Sequence, residues 1–122
     1  MPDRVHELGG VRVLEIDAAG PPFVTRREVT DLVSAVWSAG ADMVALPVAR
    51  QGAPFFDLKT RVAGELMQML TNYSIRLAFV GAMPAEVADS TALRDFIYES
   101  NKGKSVWFVA DMAELGTRLG AA

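Results

Sequence analysis

The chain has 122 residues, 51% of them apolar, with a formal net charge of −3 and no cysteine. This length and composition predict one domain with a hydrophobic core and exclude an intrinsically disordered chain. The acidic balance argues against a nucleic-acid-binding protein, and the missing thiols exclude disulfides, thiol catalysis and cysteine-ligated metals.

The amino-terminal third of the chain predicts a hairpin followed by a helix. Two β-prone runs, 4–8 and 11–17, are separated by a Gly-Gly pair, which is typical of a two-residue turn because both residues can take positive φ. Thr25 and Glu28 have the spacing of a capping box, which indicates that a helix begins there.

The remainder alternates strands with helices. Residues 43–46 form a continuous apolar run, which predicts a strand that is covered on both faces, and residues 75–80 and 105–110 are also predicted to be strands. Asp57, Ser90 and Asp111 each precede an amphipathic segment and are expected to cap a helix, and residues 49–56 are expected to be a loop. The order ββαβαβαβα predicts an α/β domain with a mixed, mostly parallel sheet and helices packed on it.

Two stretches of the sequence carry a family resemblance. One is Phe-Phe-Asp-Leu-Lys-Thr at 55–60 leading into Ala-Gly-Glu-Leu at 63–66, and the other is Leu-Arg-Asp-Phe-Ile-Tyr-Glu-Ser-Asn-Lys-Gly at 93–103. Together they resemble a family of small bacterial proteins known only as a domain of unknown function. The resemblance extends over nearly the whole chain, from about Val11 to Leu119.

The order of elements also resembles the STAS fold of sulfate-transporter and anti-sigma-factor antagonist domains. That resemblance implies a small regulatory protein that binds a partner kinase. Many members are switched by phosphorylation of a Ser or Thr that follows an Asp at the start of the second helix. Here Asp57 stands where that Asp would be, Leu58 has no hydroxyl, and Thr60 is the nearest phosphoacceptor.

A partner- or anion-binding site is predicted at Asp57, Lys59, Thr60 and Arg61. We expect these residues to be exposed at a strand-to-helix junction, where the free N–H groups of a first helical turn favour anions. The alternative is purely structural. In that interpretation Asp57 is a simple cap, and the Thr60 hydroxyl bonds to nearby backbone.

A second candidate surface is predicted at the end of the third predicted helix, and hence on the face of the sheet opposite Asp57: Tyr98, Glu99, Ser100, Asn101 and Lys102. It is interpreted either as a partner or self-association surface or as a turn network. In the turn network Gly103 would adopt a left-handed conformation, and Lys102 would face the negative end of the helix dipole.

The sequence predicts no catalytic residue, metal or cofactor. His6 is the only histidine and is expected on an edge strand, away from other acid–base groups. Asp57, Asp89 and Asp111 follow strands and are interpreted as caps or loop residues rather than metal ligands. The charged amino terminus and the short apolar runs predict a cytoplasmic protein without membrane contact.

The preferred function is a non-enzymatic regulatory or protein-interaction module that binds through residues 49–61. A homodimer is expected through the edge of the first hairpin, where backbone groups are unpaired. The alternative is a small-ligand (anion or metabolite) binding protein or enzyme. Its pocket would lie at the carboxyl ends of the parallel strands, near Val48, Gly81 and Ala110.

Overall fold

The computed structural model describes residues 3–120. Its strands form one sheet in the order β1-β2-β3-β4-β5, in which β1 and β2 are antiparallel and all other neighbours are parallel. The strands are β1 (Arg4–Leu8), β2 (Val11–Glu15), β3 (Met43–Pro47), β4 (Arg76–Val80) and β5 (Val106–Val109). The predicted α/β class with a mixed, mostly parallel sheet is therefore confirmed.

Helices follow every strand from β2 onward. They are α1 (Arg26–Ser38), α2 (Val48–Phe55), α3 (Val62–Asn72), α4 (Ala85–Ala88), α5 (Thr91–Lys102) and α6 (Met112–Arg118), and a 3-10 turn spans Leu58–Thr60. The parallel connections all step along the sheet in one direction, so right-handed crossovers place α1, α3 and α5 on the same face.

The two faces of the sheet are covered unequally. The larger cluster joins Leu14, Val44 and Phe79 to the buried sides of α1, α3 and α5. The smaller cluster lies on the other face, where Leu115 of α6 packs near Trp107. The first face thus holds the main core. Depressions lie between its neighbouring helices, one between α1 and α3 and one between α3 and α5.

The predicted amino-terminal turn and capping box are confirmed. Gly9 and Gly10 form the two-residue turn with φ of 58° and 80°. The Thr25 hydroxyl accepts a hydrogen bond from the N–H of Glu28 at 3.2 Å, and the Glu28 carboxylate accepts one from the N–H of Thr25 at 2.9 Å. The backbone N–H groups of Thr25 and Val24 lower the pKa of Glu28, because they favour its charged form.

The prediction of a loop at 49–56 is wrong, because most of that stretch is the helix α2. The segment consists of two short turns that meet at Gly52, whose φ of 75° and ψ of 170° are not helical. Pro54 lies just after this kink, where its missing N–H costs no helical hydrogen bond. Burial of Val48 and Phe55 against the core favours the helical turns.

Asp57 is a cap, but not the cap of the long helix. Its carboxylate accepts a hydrogen bond from the N–H of Lys59 at 3.1 Å and so caps the 3-10 turn. Arg61 then takes a left-handed conformation, and α3 begins at Val62. The expected strand-to-helix junction is also displaced, since α2 separates Asp57 from the end of β3.

The remaining caps agree with the sequence, with one exception. Ser90 accepts a hydrogen bond from the N–H of Leu93, and Asp111 accepts one from the N–H of Glu114. Gly103 ends α5 with φ of −89°, so the predicted left-handed conformation is wrong there. The carbonyls at this helix end find side-chain partners instead, which removes the need for a left-handed terminus.

Candidate functional site

Residues 57–61, which we call the Asp57 turn, are held in shape by hydrogen bonds within the turn. The Thr60 hydroxyl donates to the Asp57 carbonyl at 2.8 Å and accepts from the N–H of Val62 at 3.3 Å. The hydrogen bonds of Asp57 and Thr60 are therefore those of the structural alternative, in which Asp57 is a cap and the Thr60 hydroxyl bonds to nearby backbone. The side chains of Lys59, Thr60 and Arg61 nevertheless remain exposed.

Arg61 is the strained residue of the Asp57 turn. Its φ of 64° and ψ of 2° lie in the left-handed region, which residues with a Cβ seldom adopt. Such outliers persist where the surrounding structure enforces them, and they concentrate at functional sites. Neither Lys59 nor Arg61 forms an ion pair within residues 3–120, so both positive charges face solvent.

A groove of about 560 Å³ opens beside the Asp57 turn, between α3 and α5. Its lining residues come from both helices and from the turn: Leu58, Arg61, Ala63, Gly64, Glu65, Gln68 and Phe96. Both stretches that carry the family resemblance contribute to this groove, since Phe96 belongs to the second. The sequence did not predict the groove, because it depends on how far apart two helices lie on the sheet.

An aromatic cluster anchors the turn to the core. Phe55 and Phe56 are buried, and their ring centroids lie 5.7 Å and 5.3 Å from that of Phe79 in β4. The Phe56 ring meets the Phe55 ring edge-on at 4.9 Å. Because Phe56 directly precedes Asp57, this packing positions the exposed turn.

A second depression, of about 410 Å³, lies at the carboxyl ends of β2, β3 and β4. Its lining is part polar and part apolar: Arg4, Glu15, Ile16, Asp17, Ala18, Pro47 and Val80. The alternative pocket was predicted at these same carboxyl ends of the parallel strands. The charged groups of the depression come from β1, from β2 and from Asp17 just after β2, however, and the Asp57 turn contributes no lining residue.

Comparison with known proteins places the chain in a family. The family model described as a domain of unknown function (DUF4180) matches residues 8–119. The chain belongs to the DUF4180 family. The expected membership of a family of unknown function is thus confirmed, and the match includes both the Asp57 turn and the groove.

No curated protein and no solved structure matches the DUF4180 chain. Its STAS-like architecture therefore stays a prediction. Within residues 3–120, no helix has the length and apolarity that crossing a membrane requires. The same residues contain no group of three or more His, Cys, Asp or Glu side chains arranged to hold a metal ion.

The loop between β2 and α1 is held by two side chains of α2. Gln51 is only 4% exposed, and its amide accepts from the N–H of Phe23 and donates to the Phe23 carbonyl, both at 2.9 Å. Arg50 donates to the carbonyls of Pro21 and Asp17 at 2.7 Å and 2.9 Å. Sequence reasoning considered Arg50 only as part of a basic rim with Lys59 and Arg61, and it did not predict the contacts of either side chain, because their partners lie 28 or more positions away.

His6 is not isolated, contrary to the prediction. Its Nε2 lies 2.7 Å from the Glu15 carboxylate, on the neighbouring strand. In the hairpin register His6 pairs with Val13 and Arg4 pairs with Glu15, so His6 and Glu15 are diagonal neighbours on one face. The contact could have been predicted from the sequence, because a two-residue turn at Gly9 and Gly10 fixes which residues of the two strands are neighbours.

The candidate surface at 98–102 is partly a structural network. It belongs to α5, which packs on the same face of the sheet as Phe55, Phe56 and Leu58, so the expected position on the opposite face is wrong. The Asn101 side chain accepts from the N–H of Phe108 at 2.7 Å and donates to its carbonyl at 3.4 Å. These are the outward backbone groups of the edge strand β5, so Asn101 shields this edge from pairing. The Asn101 carbonyl in turn accepts from Arg118 at 2.8 Å.

Of the other residues of that surface, Ser100 is half-buried, whereas Tyr98, Glu99 and Lys102 are exposed. Tyr98 is 64% exposed, and the Lys102 ammonium lies 4.4 Å from the centre of its ring. Lys102 also forms an exposed ion pair with Glu99 at 3.3 Å. Such exposed pairs contribute at most about 1 kcal/mol, so Tyr98, Glu99 and Lys102 are not needed to hold the fold.

Proposed function

We propose that this DUF4180 domain is a non-enzymatic protein-interaction module that binds a partner protein through the Asp57 turn and the adjoining groove. The observation that carries the proposal is that two cations, Lys59 and Arg61, form no ion pair with any of residues 3–120 and lie on a strained turn beside the groove. The turn is rigidly anchored by Phe55 and Phe56, which lowers the entropy cost of binding.

The proposal includes three finer points that extend the sequence predictions. The module acts in the cytoplasm, it has a regulatory role, and it self-associates through β1. The carboxamide of Asn101 occupies the β5 edge, whereas within residues 3–120 the outer edge of β1 has no neighbouring strand. An open edge strand is a ready surface for pairing.

Reversing both charges of the turn tests the main proposal. In the variant carrying Lys59→Glu and Arg61→Glu, we expect the Kd for the partner to rise at least about tenfold. The new carboxylates would repel the negative charges of the partner that the two cations attract. The partner is first captured with the tagged wild-type protein from native cells, and its Kd is then measured with purified components. Unfolding curves should change little, since acidic residues are favourable near a helix start.

The matched control is the double variant Arg27→Glu and Lys104→Glu. Both side chains are exposed and neither lines the groove, so the control makes the same change in net charge away from the proposed site. We expect its Kd to stay within about twofold of the wild type. If both variants raise the Kd equally, the effect is due to net charge rather than to the Asp57 turn. Failure to capture any partner would refute the proposal that the domain is an interaction module.

The depression at the carboxyl ends of the strands supports a second candidate function, small-ligand binding. It combines the Arg4 cation with the carboxylates of Glu15 and Asp17 over an apolar floor that includes Val80. A thermal-shift screen against metabolites and small anions tests it. A true ligand at a hundred times its Kd should stabilise the protein by about 2.7 kcal/mol, and Arg4→Ala should abolish the shift.

A further inference from the structure

Gly64 occupies a position where the fold does not require glycine. It lies in the first turn of α3 with a helical backbone and an exposed surface. A Cβ added there would meet no atom within 4 Å. Alanine would favour the helix at this position, so the glycine weakens α3 without a packing reason inside the described residues. Its effect is to leave the groove open beside the backbone of α3.

The walls of the groove suit an apolar, helical occupant. Leu58 and Phe96 are half-buried and offer apolar surface, while Gln68 is an exposed polar residue. The groove runs between two helices of 11 and 12 residues, α3 and α5. Grooves between helices commonly receive an amphipathic helix, and a glycine lets its backbone approach closely.

Charge determines the chemistry of that helix. Arg61 lines one end of the groove, Lys59 lies two residues before it, and the amino terminus of α3 adds a partial positive charge. None of these positive groups is neutralised by an ion pair within residues 3–120. An occupant with carboxylates at this end would complement them, and a basic or neutral residue would suit Glu65 beyond Gly64.

We propose that the groove between α3 and α5 receives an amphipathic helix of the partner protein, with a small residue against Gly64 and carboxylates facing Arg61 and Lys59. This inference rests on the proposed interaction function and specifies the surface and the class of partner segment. It excludes a second copy of this chain, a small molecule and an extended peptide as the occupant.

The partner segment can be identified by cross-linking in native cells. A photo-reactive phenylalanine analogue replaces Gln68 in the groove or, as a control, the exposed Ser34 of α1. We expect the Gln68 position to cross-link to an acidic amphipathic helix of another protein, read by mass spectrometry, and the Ser34 position not to do so. A synthetic peptide of the recovered segment is then the probe.

Gly64→Ala and Gly116→Ala form a matched pair for the binding measurement. Gly116 lies within α6, on the other face of the sheet, and a Cβ there would make an ordinary 3.8 Å contact with Leu8. Both variants should raise the thermal unfolding midpoint by about 2–5 °C. Only Gly64→Ala should weaken peptide binding, by about tenfold or more, because its methyl group prevents close approach.

The possible results separate the two proposals. If charge reversal at Lys59 and Arg61 weakens binding while Gly64→Ala does not, the groove is not the docking site, but the interaction function survives. A cross-link to a second copy of this chain, to a non-helical segment, or to no protein would overturn the groove proposal. Loss of the peptide's helical circular dichroism signal in the complex would do the same.

Discussion

Replacing Phe56 with alanine is expected to destabilise the fold by about 3–5 kcal/mol, the cost typical of removing a buried phenylalanine. The side chain is 1% exposed and packs edge-on against Phe55 and Phe79, so the substitution removes dispersion contacts and leaves a cavity. Urea unfolding followed by tryptophan fluorescence measures the change. The two tryptophans lie on different sides of the sheet, Trp37 in α1 and Trp107 in the smaller core cluster, so the fluorescence signal reports on both.

Two further variants make the Phe56 result interpretable. Tyr98→Ala removes an aromatic ring that is 64% exposed and should change stability by less than about 1 kcal/mol. Phe56→Leu retains most of the apolar volume and should cost about 1–1.5 kcal/mol, which keeps the test informative if the alanine variant does not fold. Equal costs for Phe56→Ala and Tyr98→Ala would contradict the position assigned to the Phe56 ring.

A similar loss is expected from Gln51→Leu, by a different mechanism. Leucine fills much the same space but offers no hydrogen bond to Phe23, whose N–H and carbonyl both lose their partner. Leaving these two groups unsatisfied should cost about 2–4 kcal/mol, because each loses a hydrogen bond that water only partly replaces. The Phe23 amide should also exchange its hydrogen faster, which NMR measures at a single residue.

The same substitution at Gln68 provides the comparison. Gln68 is exposed, and among residues 3–120 its side chain forms a hydrogen bond only with Asn72, one helical turn away. Gln68→Leu should therefore change stability by no more than about 0.5 kcal/mol. If Gln51→Leu were equally mild, the loop between β2 and α1 would be held by Arg50 and packing, and the Gln51 amide would have no measurable structural role.

Both stability predictions concern how the Asp57 turn is presented to a partner. Phe56 attaches the turn to the core, and Gln51 joins the helix before it to a distant loop. A variant that loosens either contact should bind the partner less tightly even though no binding residue has changed, since ordering the turn then opposes binding. Binding and unfolding must therefore be measured on the same variants.

Local signals in the sequence determined much of the architecture. The apolar runs became strands, and the cap residues Thr25, Ser90 and Asp111 began helices as predicted. These features depend on periodicity and on hydrogen bonds that span only a few residues, so they can be recognised without a fold. The order of elements then predicted a mixed sheet, because short connections and right-handed crossovers leave few arrangements.

The site was predicted less completely. Lys59, Thr60 and Arg61 were expected to be exposed, and they are, but the helix behind them begins at Val62 rather than at Asp57. A side-chain hydroxyl that captures nearby backbone groups can end one turn and delay the next, and Thr60 does this. Propensity alone does not distinguish that outcome from one continuous helix.

By itself, the sequence determined which segments form strands and helices, where most helices begin, and which family the chain belongs to. Only the tertiary structure decided that 48–55 is helical, that Gln51 holds Phe23, and that a groove separates α3 from α5. The reason is the range of the forces involved. Caps and periodicity act between near neighbours, whereas burial and long-range hydrogen bonds depend on residues that only the folded sheet brings together.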